Sequence, residues 1–115
     1  MSRHDDRTRL LHMLDYGQEA VSMSQDRQRP DLDGDREFRF ALTHLVEIIG
    51  EAATHVSEPF RLANPQIPWA GIVGLRNRLI HGYSEVDLDL LWKIVQLNLP
   101  PLIVELRKVL ETTEH

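Results

Sequence analysis

The stretch DREFRFALTHLVEIIGEAATHV, Asp35 to Val56, decides the fold. Its apolar residues Phe38, Ala41, Leu42, Leu45, Ile48, Ile49, Ala52 and Val56 recur at three- and four-residue steps. That spacing places them on one face of an α-helix and leaves the other face polar. Working outward, the same period continues nearly everywhere, and alternating strand patterns are hard to find. Leu10, Leu14, Gly17 and Val21 mark an earlier helix over about Asp5 to Ser24. Gln25 to Gly34 reads as a connection, with Pro30 and Gly34 as breakers. Ser57 to Pro68 holds Pro59, Pro65 and Pro68 and reads as a loop with one short turn around Arg61. Pro68 suits the first turn of a further helix reaching about His81, with Gly82 as its stop. Asp87 is placed as the N-cap or a first-turn acid of a helix ending near Pro100, where Pro100-Pro101 breaks the direction. Leu102, Leu106, Val109 and Leu110 form the stripe of the last helix. The expectation is all-α: one domain over residues 1–115, an antiparallel bundle of four to five helices.

Composition narrows the classes of function. The chain has 115 residues, 42% hydrophobic and 27% charged, as expected of a globular domain rather than a disordered or repetitive chain. It holds no cysteine, which excludes disulfides and thiolate metal sites. No apolar run is long enough to span a membrane and the N-terminus is too polar for a secretory signal, so a cytoplasmic location is expected. The net charge of −5 argues against non-specific coating of nucleic acid but not against a local basic site. Such a site is present in outline. Arg61 to Tyr83 contains three arginines and no acid, whereas Glu85, Asp87 and Asp89 follow within Ser84 to Leu91.

The chemistry concentrates in IPWAGIVGLRNRLIHGY, Ile67 to Tyr83. On a continuous helical wheel Ile72, Val73, Leu75, Leu79, Ile80 and Tyr83 share one broad side, with Arg76 in its middle and Arg78 on the polar flank. A guanidinium on an apolar stripe needs an anion, a wet cleft or a carboxylate from a neighbouring helix. His81 would point about 140° away from Arg76 on an ideal helix. Either the helix unwinds near Gly82, or a second copy completes the site across a two-fold axis. A histidine at that position is also suited to capping the helix C-terminus.

Arg76-Asn77-Arg78-Leu79-Ile80-His81-Gly82-Tyr83 resembles the R-x4-H-x-Y signature of the HepT-type members of the HEPN superfamily. The resemblance extends through LLHMLDYGQEA in the first helix, EIIGEAA at Glu47 to Ala53, NPQIPWAGIVGLRN, and VDLDLLWKIVQLNLPPLIVELRKVL. It implies a HEPN-like all-helical homodimer with its two motifs facing each other. It further implies a metal-independent endoribonuclease, acting without a cofactor as the toxin of a prokaryotic toxin–antitoxin pair. The implied partner is a nucleotidyltransferase of the MntA type, which would neutralise the toxin, with adenylylation of Tyr83 as one route. By position, Arg76 and His81 are the catalytic pair, Asn77 and Arg78 the supporting, phosphate-positioning residues, and Tyr83 the modifiable tyrosine.

These residue types suit metal-free RNA cleavage. The 2′-hydroxyl attacks the adjacent phosphate and the leaving oxygen takes a proton. Histidine exchanges protons near neutral pH, and arginine offers a planar fork to the phosphate oxygens as their charge grows. Such a cleft suits single-stranded RNA or an exposed end better than a paired helix. The alternative is a non-catalytic helical module that binds a nucleotide or a nucleotidyltransferase, with Arg76 and His81 serving recognition.

Other constellations carry less. His44, Glu47, Glu51 and His55 share the polar face of the Asp35–Val56 helix, but they span three turns and read as a solvated or dimer-facing surface rather than a metal site. Trp69 and Trp92 read as core packing rather than base-stacking residues, and Gly71 and Gly74 as points of close helix approach.

Overall fold

The computed structural model describes residues 3–81 and 85–112. Three long helical stretches carry the body: α1 (Arg3–Ser24), α3 (Arg36–Thr54) and α8 (Leu99–Thr112). Short elements fill the intervals: α2 (Asp31–Gly34), α4 (Glu58–Ala63), α5 (Trp69–Val73), α6 (Leu75–Leu79), the two-residue strands β1 (Ile80–His81) and β2 (Glu85–Val86), and α7 (Leu88–Lys93). The fold is all-α and HEPN-like, with the β1–β2 pair as a small addition.

Contacts at the helix ends show that α1 runs antiparallel to both α3 and α8. Asp6, near the start of α1, accepts from the backbone N–H (2.8 Å) and hydroxyl (2.7 Å) of Ser57, just beyond the end of α3. Its carboxylate is buried, and those two donors take the place of lost water. The guanidinium of Arg7 reaches the carbonyl of Leu110 in the last turns of α8. At the other end, Gln96 reaches the hydroxyl of Ser24.

The α3 stripe forms the core wall as its spacing predicts: Phe38, Leu42, Leu45, Ile49, Ala52 and Val56 are buried, joined by Val46 and Ala53, while Ala41 and Ile48 are half-buried. Asp35 caps the helix through its side chain on Phe38 N–H. In α1 the buried line is Leu10, Met13, Gly17 and Ala20, so Leu14 and Val21 lie at its margin rather than at its centre. The connection after α1 is more ordered than its breakers suggest. Leu32 in α2 is fully buried, and Arg27 ties the turn down with an ion pair to Asp35 at 2.8 Å and a stacking contact over Phe38.

Two expectations about the second half are corrected. Pro100-Pro101 does not break the direction: helix is continuous from Leu88 to Thr112, through a π-helical turn at Ile94–Asn98. Proline lacks an N–H and crowds the carbonyl four residues back. Here the Leu99 N–H bonds the carbonyl of Ile94, five residues back, and the widened turn accommodates both prolines at the start of α8. The expected helix from Pro68 to His81 is likewise divided, into α5, α6 and β1, and this division creates the candidate site.

Candidate active site

The site begins with an anchored start. Pro68 precedes α5, and Trp69 is held by its indole N–H on the carbonyl of Asn64 (3.0 Å) and by an edge-on contact with Phe60. Trp69 is buried and Trp92 half-buried against the core, so both serve packing. The glycine that permits close approach is Gly50 on α3, because a Cβ there would lie 3.1 Å from the carbonyl oxygen of Ile72. Gly71 is instead exposed, and Gly74 marks the junction between α5 and α6.

The five residues of α6 turn Leu75 and Leu79 inward and leave Arg76, Asn77 and Arg78 exposed. The wheel drawn over Ile67 to Tyr83 therefore fails for Arg76. The helix is too short and too broken to carry one apolar side across it, and the Arg76 side chain is 69% exposed. Its Nε donates to Glu47 Oε2 at 3.2 Å. A carboxylate from a neighbouring helix was one of the expected partners, but this pair lies at the surface rather than in the core. Glu47 was legible in the sequence only as part of the polar face of α3.

The helix ends at Leu79, and Ile80 adopts extended backbone (φ −100°, ψ 118°). Unwinding thus occurs two residues ahead of the expected Gly82. Ile80 pairs with Val86 and His81 with Glu85, and the Asp87 N–H donates to the Leu79 carbonyl at 2.8 Å. His81 lies on a strand and does not cap the helix, so the 140° separation of an ideal helix no longer applies. Its side chain is 58% exposed, with Nε2 4.0 Å from Asp87 Oδ2. The other oxygen of Asp87 accepts from Leu90 N–H and caps α7, as expected, which fixes the carboxylate beside the imidazole. Tyr83, the expected modification site, and Gly82 lie outside the described residues.

Arg78 does not join Arg76. Two residues apart on a helix is a turn of about 200°, and Arg78 folds back to donate to the Gly71 carbonyl at 2.9 Å. It lines a groove of about 410 Å³ with Ile72, Leu75, Lys93, Leu99 and Leu102. Of the polar face on α3, Glu47 turns to Arg76, and Glu51 and His55 pair with each other at 3.1 Å. Among the described residues no group of three or more histidines and carboxylates is arranged to hold a metal ion, and no helix is long and apolar enough to cross a membrane.

An antiparallel all-α bundle that presents an arginine and a histidine at the end of a broken helix defines a class, and sequence comparison identifies the family within it. The chain belongs to the HepT-like ribonuclease family, whose profile, described as "Ribonuclease HepT-like", matches residues 13–109. It is 35% identical over 109 residues to a Methanocaldococcus jannaschii protein named "Putative RNase MJ1380", covering 95% of this chain and all of that one. It is 29% identical to "Putative RNase MJ0127" of the same organism, over 99% of this chain and 94% of that one. It is 40% identical to "Probable ribonuclease HepT" of Thermococcus cleftensis, over 59% of this chain and 62% of that one. No solved structure gives a significant match.

Proposed function

We propose that this protein is a metal-independent endoribonuclease whose cleft forms where two copies bring their Arg76 and His81 together. The observation that carries this reading is the exposure of both motif side chains. Large charged and polar groups held at the surface by a locally broken helix, in a family of ribonucleases, are free to meet a phosphate. Arg76 supplies donors to the phosphate oxygens, displacing or sharing the Glu47 carboxylate as it does so. His81 moves the proton, either from the attacking 2′-hydroxyl or to the leaving oxygen. With two copies of His81 in one cleft, the two steps can be divided between them. Asp87 fixes the side from which the imidazole is approached. Asn77, exposed beside Arg76, positions the phosphate, while Arg78, turned to the neighbouring groove, is left to a different phosphate of the strand.

In the cell the protein acts as the toxin of a toxin–antitoxin pair. It is restrained by a nucleotidyltransferase of the MntA type, which adenylylates Tyr83 and so places an anion beside the cleft. The test is cleavage of total RNA by purified protein, with and without EDTA. Cleavage that survives EDTA and is lost in Arg76→Ala and His81→Ala supports the reading, and full activity in a folded His81→Ala protein overturns it. Incubation with the nucleotidyltransferase and ATP should add one adenylate to the peptide carrying Tyr83.

A further inference from the structure

The polar face of α3 continues past Glu47 to a feature that the cleavage chemistry leaves unused. Phe40 is 54% exposed, although single exposed apolar residues are common and mean little alone. Two surroundings set this one apart. The guanidinium carbon of Arg36 lies 4.9 Å from the ring centroid and that of Arg39 5.5 Å. Arg39 is pinned as well, donating through Nη1 to the carbonyls of Leu32 (2.9 Å) and Asp33 (3.3 Å). The ring therefore stands within reach of two guanidiniums, one of them held in place, with more than half its surface open to solvent.

Its position is the second argument. Phe40 and Glu47 are seven residues apart, within about 20° of each other around the helix and about 10 Å apart along it. Glu47 is the carboxylate that grips Arg76, so the ring and the candidate phosphate site share one face. His44 lies between them, exposed. The opposite direction along that face leads to Glu51, an exposed acid that would repel a phosphate chain. Toward Phe40 the helix carries Arg36 and Arg39 against one exposed acid, Glu37, so the charge balance favours a strand leaving Arg76 in that direction.

We propose that Phe40, flanked by Arg36 and Arg39, is a stacking platform for a base of single-stranded RNA, a few nucleotides from the phosphate held at Arg76. The inference rests on the ribonuclease reading and adds to it a substrate-binding subsite and the strand's direction. An aromatic face stacks any base, and neighbouring guanidiniums hold the backbone, so the subsite grips single strands with little sequence preference.

The test is binding of a short fluorescent 2′-O-methyl single-stranded RNA, which lacks the attacking hydroxyl and stays intact, measured by anisotropy on the full chain. Phe40→Ala should weaken binding roughly tenfold or more, with unchanged helical content and unchanged mass by sedimentation. Phe40→Trp should keep most of the affinity. Arg36→Ala should weaken binding less and lower the salt dependence by about one phosphate contact. On cleavable RNA, Phe40→Ala should raise KM and leave kcat near that of the parent. Equal affinities for the parent and Phe40→Ala, with cleavage intact in both, overturn the platform alone. Loss of affinity together with a fall in mass also overturns it, because Phe40 would then sit against a second copy. A parent protein that neither binds nor cleaves RNA overturns the ribonuclease reading itself.

Discussion

Helix α3 and the segment from Trp69 to His81 are neighbours through α5 and α6, yet one is a single regular helix while the other changes course at Gly74 and again at Ile80. The difference follows from composition. Arg36 to Thr54 keeps its apolar residues in phase with the helical period, starts from a capping aspartate, and is interrupted only by Gly50. The other segment places Gly71 and Gly74 within four positions, two residues that weaken a helix, whereas α3 carries its β-branched residues in phase on a long apolar face with a single glycine. The regular helix hides its apolar face and the broken one displays its charged groups. Had Trp69 to His81 been one continuous helix, Arg76 and His81 would have pointed well apart. Irregularity is what brings both to the surface at one end of one short segment.

Substitutions can break this contrast from either side. The largest effect is expected on activity. Arg76→Ala or His81→Ala should lower RNA cleavage by about 10²–10⁴-fold, the usual worth of a general acid–base or a charge-stabilising group. Thermal unfolding should move little in both, since exposed side chains contribute about 0.5 kcal/mol or less. A large loss of stability would mean that these side chains hold the fold and are not set aside for chemistry.

The reverse pattern is expected in α3. Ile49 is fully buried, and Ile49→Ala should cost about 2–5 kcal/mol in denaturant unfolding. Activity per folded molecule should be nearly preserved at low temperature. Gly50→Ala tests the seam between the two regions. Alanine favours the helix by up to about 1 kcal/mol, but its Cβ would press on the Ile72 carbonyl, and overpacking costs about 1–3 kcal/mol. A net destabilisation smaller than that of Ile49→Ala is expected, with chemical-shift changes concentrated in α5 and α6. An unperturbed spectrum would show that the close approach does not position the motif.

The smallest effect concerns pH. The Arg27 guanidinium, and then the Phe38 N–H, hold the Asp35 carboxyl below its ordinary range. A carboxylate with a depressed folded pKa stabilises above its unfolded value, about 4, and that contribution is lost as the pH falls through the folded value. Asp35→Asn keeps a cap acceptor and removes the charge. Its deficit in melting temperature should therefore be present at neutral pH and shrink in acid, where the parent protonates. A deficit that stays constant with pH would assign Asp35 to capping alone.

Much of the fold was legible because helix periodicity is a property of neighbouring residues. The stripe of α3, the acid at the start of α7, the turn near Arg61 and the last helix all follow from spacings within a few positions, whereas the Asp35 cap was not among the expected features. The motif residues were legible as a pattern of types, and the family match over residues 13–109 agrees with the resemblance they carry. Less could be read where a partner far along the chain makes the decision. Arg39 reaches back to α2, Leu32 is buried by elements beyond its own turn, and Glu47 becomes a partner of Arg76 across 29 positions. None of these leaves a periodic trace.

By itself, then, the sequence determined an all-helical chain with a regular central helix, and a short segment rich in arginine and free of acids that carries an arginine and a histidine. Tertiary structure decided which way those side chains face. Contact between Gly50 and Ile72, the bond from Asp87 to Leu79, and the reach of Glu47 to Arg76 close only when distant segments meet. A helical wheel assumes one unbroken axis. Packing against α3 and the β1–β2 pair ends that axis at Leu79, and the direction of His81 follows from the break.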